Sequence, residues 1–169
     1  MSQDGDAAAF DAFVQARSPR LLRTAQLLTG DRAAAEKALT QSLGAAWKRW
    51  GALQGSGADA VEDEVLRGLV AAGTRATAGA AAPTGRLPED LGSSDQTRVA
   101  ARGALRRQLS ALPAELRAVV VLRHADGLST ERVARVLGEE PEQVERAEQA
   151  AVVLLSRDED LAPYVVVAS

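Results

Sequence analysis

Few groupings in this chain are equipped to make or break a bond, and each lacks something its chemistry requires. Cysteine is absent, which removes thiolate catalysis, disulfides and Cys-based zinc or iron–sulfur sites. His124 is the only histidine. It has no matched acid and nucleophile beside it in sequence, so it reads as a surface or boundary residue. The segment Gly51 to Gly57 is not a phosphate cradle, because no Gly-Lys-Ser/Thr follows and no strand precedes it. The pair Glu62-Asp63 and the run Asp158 to Asp160 read as solvated surface. Trp47 and Trp50 stand three apart on a helix and read as core rather than as a ligand platform. The expectation is a protein that is not an enzyme and holds no metal and no cofactor.

Recognition is the chemistry that remains. Leu128 to Leu155 reads as a short helix, a turn containing Gly138 and a second helix, which is the layout of a helix-turn-helix. On this segment alone, a structural helix pair fits as well as a DNA reader. Glutamates occupy positions 139, 140, 142, 145 and 148, with only Arg146 among them to oppose their charge. Early in a helix such residues also serve as ordinary dipole partners.

The elements that must carry these residues are helical. Of 169 residues, 46% are hydrophobic and only 3% aromatic, and isoleucine is missing, a bias toward helix over strand. Asp6 to Arg17 places Phe10, Phe13 and Val14 on one stripe. Ser18-Pro19 is expected to break and restart the chain. Asp31 suits the cap of a long helix over Arg32 to Trp50, and Gly51 to Gly57 reads as a loop. A further helix is expected over Asp59 to Arg75, with Val61, Val65 and Leu69 inward. Ala78 to Thr97 is rich in Ala, Gly, Pro and Ser without sustained periodicity, so it reads as a linker. Helices resume near Arg98 and again at Pro113, then over Thr130 to Leu137 and Pro141 to about Ser156. Val144, Ala151, Val152 and Leu155 are expected to face inward on the last of these. The fold class is all-α, divided into a helical domain over 1–77, a flexible linker over 78–97, a helix-turn-helix domain over 98–160 and a tail over 161–169.

The formal net charge is −3, unlike the basic face of a dedicated nucleic-acid binder. The polar, acidic start at Met1 is the opposite of a signal peptide. The longest apolar run, Ala150 to Leu155, is far below the about 20 residues of a membrane span. The expected location is cytoplasmic, with no membrane partner.

LSALPAELRAVVVLRHADGLSTERVARVLG (Leu109 to Gly138) closely resembles the fourth domain of sigma-70 factors of the extracytoplasmic-function type. FDAFVQARSPRLLRTAQLLTGDRAAAEKALTQSLGAAWKRW (Phe10 to Trp50) resembles their second domain, particularly in the actinobacterial group. The resemblance implies a transcription regulator that binds core RNA polymerase. Its second domain would dock on the polymerase clamp and open the minus-ten element. Its fourth domain would place a recognition helix in the minus-thirty-five major groove.

The scaffold of that family is kept, but its contact positions are changed. The clamp-facing helix typically reads Ala-Glu-Asp-Leu-Val-Gln; here it reads Ala35-Glu36-Lys37-Ala38-Leu39-Thr40. A reversed charge at such a contact disrupts pairing. The minus-ten helix, Glu64 to Ala71 and on to Thr77, lacks the family's Asn, its paired Trp residues and most of its Arg, the features that hold melted strands. The recognition helix carries Gln143-Val144-Glu145-Arg146-Ala147 where the family often reads Thr-Val-Lys-Ser-Arg. Acidic residues there repel phosphate.

If DNA binding is retained, the resemblance assigns it to Arg132, Arg135, Gln143, Arg146, Arg67 and Arg75. It assigns polymerase or partner binding to Glu36, Lys37, Thr40, Gln41 and Lys48. The first reading is a sigma-factor-like regulator with weakened or lost promoter binding, acting through core RNA polymerase, an anti-sigma factor or another sigma factor. Two alternatives stay open: an active sigma factor directing polymerase to promoters, and a helical interaction or sensor scaffold outside transcription.

Overall fold

The computed structural model describes residues 3–57, 59–77 and 107–156. The expected linker, residues 98–106, the run Asp158 to Asp160 and the tail lie outside the described residues. Every element described is helical, as expected, and no strand occurs among them. A first bundle comprises α1 (Gln3–Thr29), α2 (Arg32–Lys48), α3 (Trp50–Gln54) and α4 (Ala60–Thr77). Residues 107–111 are helical and lead into α5 (Ala114–Val120), which continues as a π-helical turn over Val121–Ala125. Then come α6 (Thr130–Leu137) and α7 (Pro141–Ser156).

In the first bundle α4 packs along both α1 and α2. Its inward face, Val61, Val65, Leu66 and Leu69, is buried against Leu21, Leu28 and Leu39. Two glycines bring the backbones close. A Cβ on Gly68 would fall 2.9 Å from Ser42 Cβ on α2, and one on Gly73 would fall 3.0 Å from Leu28 Cβ on α1.

Three local expectations are corrected. The break at Ser18-Pro19 does not form, and α1 runs unbroken with Pro19 inside it. Proline deletes a hydrogen bond to the carbonyl four residues back. Pro19 and Gln15 are both exposed, so water can solvate that carbonyl while Leu21, Ala25 and Leu28 hold the helix from below. Next, α2 stops at Lys48 rather than Trp50, where Arg49 leaves helical geometry (φ −108°, ψ 6°) and its N–H bonds to Ala46 O. The chain restarts as α3, so Gly51 is helical rather than part of a loop. The turn separates the two tryptophans: Trp50 is buried, whereas Trp47 is 41% exposed. Both still join an aromatic cluster, with Phe10 5.0 Å from the Trp47 ring and 5.1 Å from the Trp50 ring. Lastly, Val152 on α7 is exposed rather than inward, while Val144 and Ala151 are buried.

The boundaries of α6 and α7 match the sequence reading, because their caps are explicit. Ser129 Oγ accepts from Arg132 N–H at the start of α6, a side-chain N-cap. Gly138 (φ +74°) closes α6 in the left-handed region that favours glycine. Gln143 Oε1 accepts from Glu140 N–H at 2.9 Å, the reach-back half of a capping box on α7.

The two halves pack on each other. Helix α4 meets α5 and α6 on one side while packing on α1 and α2 on the other, and α1 meets the π-helical turn. The buried apolar residues of both halves form one cluster.

Candidate partner and nucleic-acid surfaces

The seam between the halves is built from charged side chains that are withdrawn from water. Arg132 on α6, with only 16% of its side chain exposed, reaches across to α4. Its Nε donates to Asp63 Oδ1 at 2.7 Å and its Nη2 to Glu62 Oε2 at 2.8 Å. Asp59 lies 3.3 Å from its Nη1. Burial alone would lower the Arg132 pKa, but the hydrogen bonds and charges of Asp63 and Glu62 raise it above the ordinary arginine value. The Glu62 and Asp63 side chains are 4% and 10% exposed. They are therefore not the solvated surface pair expected from sequence. The first turn of α4 faces the other half of the molecule, so the acids that suit a helix N-terminus also meet a cation there.

A second set of contacts closes the other end of the seam. The π-helical turn, marked by the bond from Asp126 N–H to Val121 O, presents Asp126 to α1. There Arg20 donates through Nε to Asp126 Oδ1 (3.1 Å) and through Nη2 to the Asp126 carbonyl (2.7 Å). The Thr24 hydroxyl lies 2.8 Å from Asp126 Oδ1. Arg20 also stands 3.4 Å from Glu62 Oε1, and Arg17 stands 3.8 Å from it, so the two ends are linked electrically. Arg117, fully within the interior, donates to Leu28 O at the end of α1 (2.9 Å) and to Leu112 O (3.0 Å). One half thus supplies the C-terminal cap of a helix in the other. Burial pushes the Arg117 guanidinium below its ordinary range, and it remains charged.

Of the residues assigned to DNA, Arg132 is committed to the seam and two others border it. Arg67 pairs with Glu64 and its Nη2 donates to the Arg135 carbonyl at 3.4 Å. Arg135 Nε lies 3.8 Å from Asp63. Arg67 and Arg135 share with Arg49 a seam cavity of about 600 Å³ that Asp59, Asp63 and Glu64 also line. Gln143 is exposed, but its carbonyl caps α7. Arg146 is exposed and makes no ion pair among the described residues, and Glu142 and Glu145 are exposed on the same helix. Glu148 is tied back to His124 Nε2 (2.7 Å) and Arg123 Nε (3.3 Å). Arg75 lines a different cavity, on the α2–α4 face. Arg67, Arg75 and Arg146 are therefore not gathered into one basic groove.

The positions that the resemblance assigns to polymerase or partner binding all lie on α2. Glu36, Lys37, Thr40, Gln41 and Lys48 are all exposed. Glu36 pairs with Arg32 one turn earlier at 2.9 Å, and the Thr40 hydroxyl donates to the Glu36 carbonyl. The residues that hold the seam (Arg20, Thr24, Glu62, Asp63, Arg117 and Asp126) were not singled out by sequence as functional. The nearest signal was the three-and-four spacing that puts Arg17, Arg20 and Thr24 on one side of a helix.

Comparison with known proteins agrees with this geometry. Residues 102–147 match the family model for region 4 of sigma-70. The RNA polymerase sigma-E factor of Streptomyces coelicolor is 33% identical over 135 residues, a match covering 79% of this chain and 76% of that protein. The sigma-E factors of Streptomyces avermitilis and Streptomyces antibioticus are each 32% identical over the same share of this chain and 75% of theirs. Identity at that level, across both halves of an all-helical fold whose second half is a helix-turn-helix, makes the chain a member of the sigma-70 family of transcription factors, in its extracytoplasmic-function group of actinobacterial type.

Proposed function

We propose that this protein is a non-enzymatic, cytoplasmic transcription regulator that has traded promoter binding for a closed form and acts through protein partners. The observation that carries the reading is the position of Arg132. A guanidinium bonded to two buried carboxylates is not free to neutralise a phosphate, and phosphate neutralisation supplies most non-specific affinity for DNA. The glutamates exposed on α7 add repulsion where the helix-turn-helix would meet the duplex. Helix α4, which corresponds to the family's minus-ten reader, has α1 and α2 on one side and α5 and α6 on the other. Its residues carry neither the aromatics nor the basic run that hold an open strand.

The partner face on α2 stays exposed in the same closed form, which favours protein contact over nucleic-acid contact. Core RNA polymerase, an anti-sigma factor and another sigma factor are the candidate partners. The test is binding of the purified chain to core polymerase and to promoter fragments at several salt concentrations, with reconstituted transcription as the readout. Binding to protein without selective DNA binding is expected. Tight, salt-sensitive, sequence-selective DNA binding, or promoter-specific transcripts, would return the protein to the ordinary role of an initiating factor.

A further inference from the structure

On the exposed face of the first bundle, α2 and the last turns of α4 enclose a groove of about 400 Å³. Lys37 and Gln41 from α2 and Arg75 from α4 line it, over a floor that includes Ala38, Ala72 and Ala76. All three polar residues are exposed. Among the described residues no carboxylate lines the groove, and neither Lys37 nor Arg75 makes an ion pair. Arg17, Arg20, Arg32, Arg49, Arg67 and Arg132 each have an acidic partner; Lys37 and Arg75, like Arg146, keep their charge unmatched among the described residues, in a chain that is negative as a whole.

We propose that this groove receives an acidic segment of a partner protein. This rests on the reading that the protein works through protein contacts, and it names the chemistry of the partner. Lys37 supplies a point charge and Arg75 a planar fork suited to a carboxylate. Gln41 carries both a donor and an acceptor, which match a peptide backbone. The alanine floor accepts the methylene stems of Glu or Asp side chains. Nucleic acid fits less well. Two cations neutralise at most two phosphates, which gives weak binding, and among the described residues no aromatic ring lines the groove for a base to stack on.

The test uses the full-length, isotope-labelled chain. It is titrated with a helical peptide of Glu and Ala, with the matching Gln and Ala peptide, and with a single-stranded oligonucleotide. The Glu peptide is expected to shift the amides of residues 34–41 and 72–76 saturably, and the Gln peptide to leave them in place. The double variant Lys37→Glu, Arg75→Glu, both at exposed positions, should weaken binding roughly tenfold or more. Arg23→Glu, at an exposed position on α1 outside the groove, should not. Equal binding of the two peptides, shifts elsewhere or an unaffected double variant would overturn the proposal. So would the oligonucleotide shifting these amides in place of the Glu peptide, which would make the groove a nucleic-acid contact. The outcome is separable from that of the broader reading: a chain that ignores promoter DNA yet also ignores the Glu peptide loses only the groove assignment.

Discussion

Replacing Arg132 by alanine tests the closed form directly. Its guanidinium faces Glu62 and Asp63, whose side chains are 4% and 10% exposed, across bonds of 2.8 and 2.7 Å. Without it, among the described residues Asp63 retains Arg135 at 3.8 Å, while Glu62 retains Arg20 at 3.4 Å and Arg17 at 3.8 Å. Removing one partner of a buried pair costs about 3–5 kcal/mol, because the remaining charge stays desolvated. The residual arginines place this case at the lower end, about 3 kcal/mol. Charged to the seam alone, that raises the ratio of open to closed molecules roughly a hundredfold.

The chain has no cysteine, so thiols introduced at Gln41 and Gln149, both exposed, can carry a donor and acceptor dye without competition. R132A should lower transfer efficiency between them and shift the urea midpoint downward. Adding Asp63→Asn should recover part of the loss, with a coupling of about 1 kcal/mol between the two sites. If R132A leaves both transfer efficiency and midpoint unchanged, the arginine is not a latch and the masking argument fails with it.

Other consequences are simpler. Gly68→Ala drives a methyl into Ser42 and should cost roughly 1–3 kcal/mol of overpacking, relieved by adding Ser42→Gly; denaturant titration of the single and double variants checks both. Trp50→Ala empties the buried centre of the aromatic cluster and should cost about 3–5 kcal/mol, read as a fall in thermal midpoint. Reversing Glu142 and Glu145 to lysine should create DNA binding, with the salt slope steepening by about 0.9 for each phosphate gained; filter binding over a salt series measures it.

The fold was legible where local chemistry decides it. Caps at Asp31, Ser129 and Gly138 fixed helix ends because each satisfies a backbone group that would otherwise lack a partner. Leucine and valine spacing identified the inward faces of α4 and α6. Pro19 misled because proline's penalty is a local lost bond, and an exposed carbonyl can recover it from water. The end of α2 was misplaced because nothing in Lys48-Arg49-Trp50 marks a turn; the reorientation puts Trp50 into the core at the expense of Trp47. That Glu36, Lys37, Thr40, Gln41 and Lys48 share one exposed stripe was readable because all five sit on one helix. The seam was not. Glu62 and Asp63 at a helix start have an ordinary explanation already, and their cation lies 69 residues from Asp63 along the chain. Only tertiary packing turns a solvated acidic pair into a buried one.

The seam also constrains how the protein can be controlled. Arg132 cannot serve Glu62, Asp63 and a phosphate together, so any DNA contact made through Arg132 would compete with closing. Any ligand that requires Arg132 must offset the cost of leaving two buried carboxylates unmatched, and only its differential affinity for the open form can do so. A partner that binds α2 alone touches neither Arg132 nor Asp126, and by itself it has no lever on the seam. A partner that also contacts α4 or α6 does. Opening the seam with R132A should tighten binding of a partner that needs the open form but does not touch Arg132, by at most the factor by which the closed seam weakens it. It should leave untouched the affinity of a partner confined to Lys37, Gln41 and Arg75. Comparing one partner's affinity for the wild-type chain and for R132A therefore tells whether that partner reads the outer face of the first bundle or prises the halves apart.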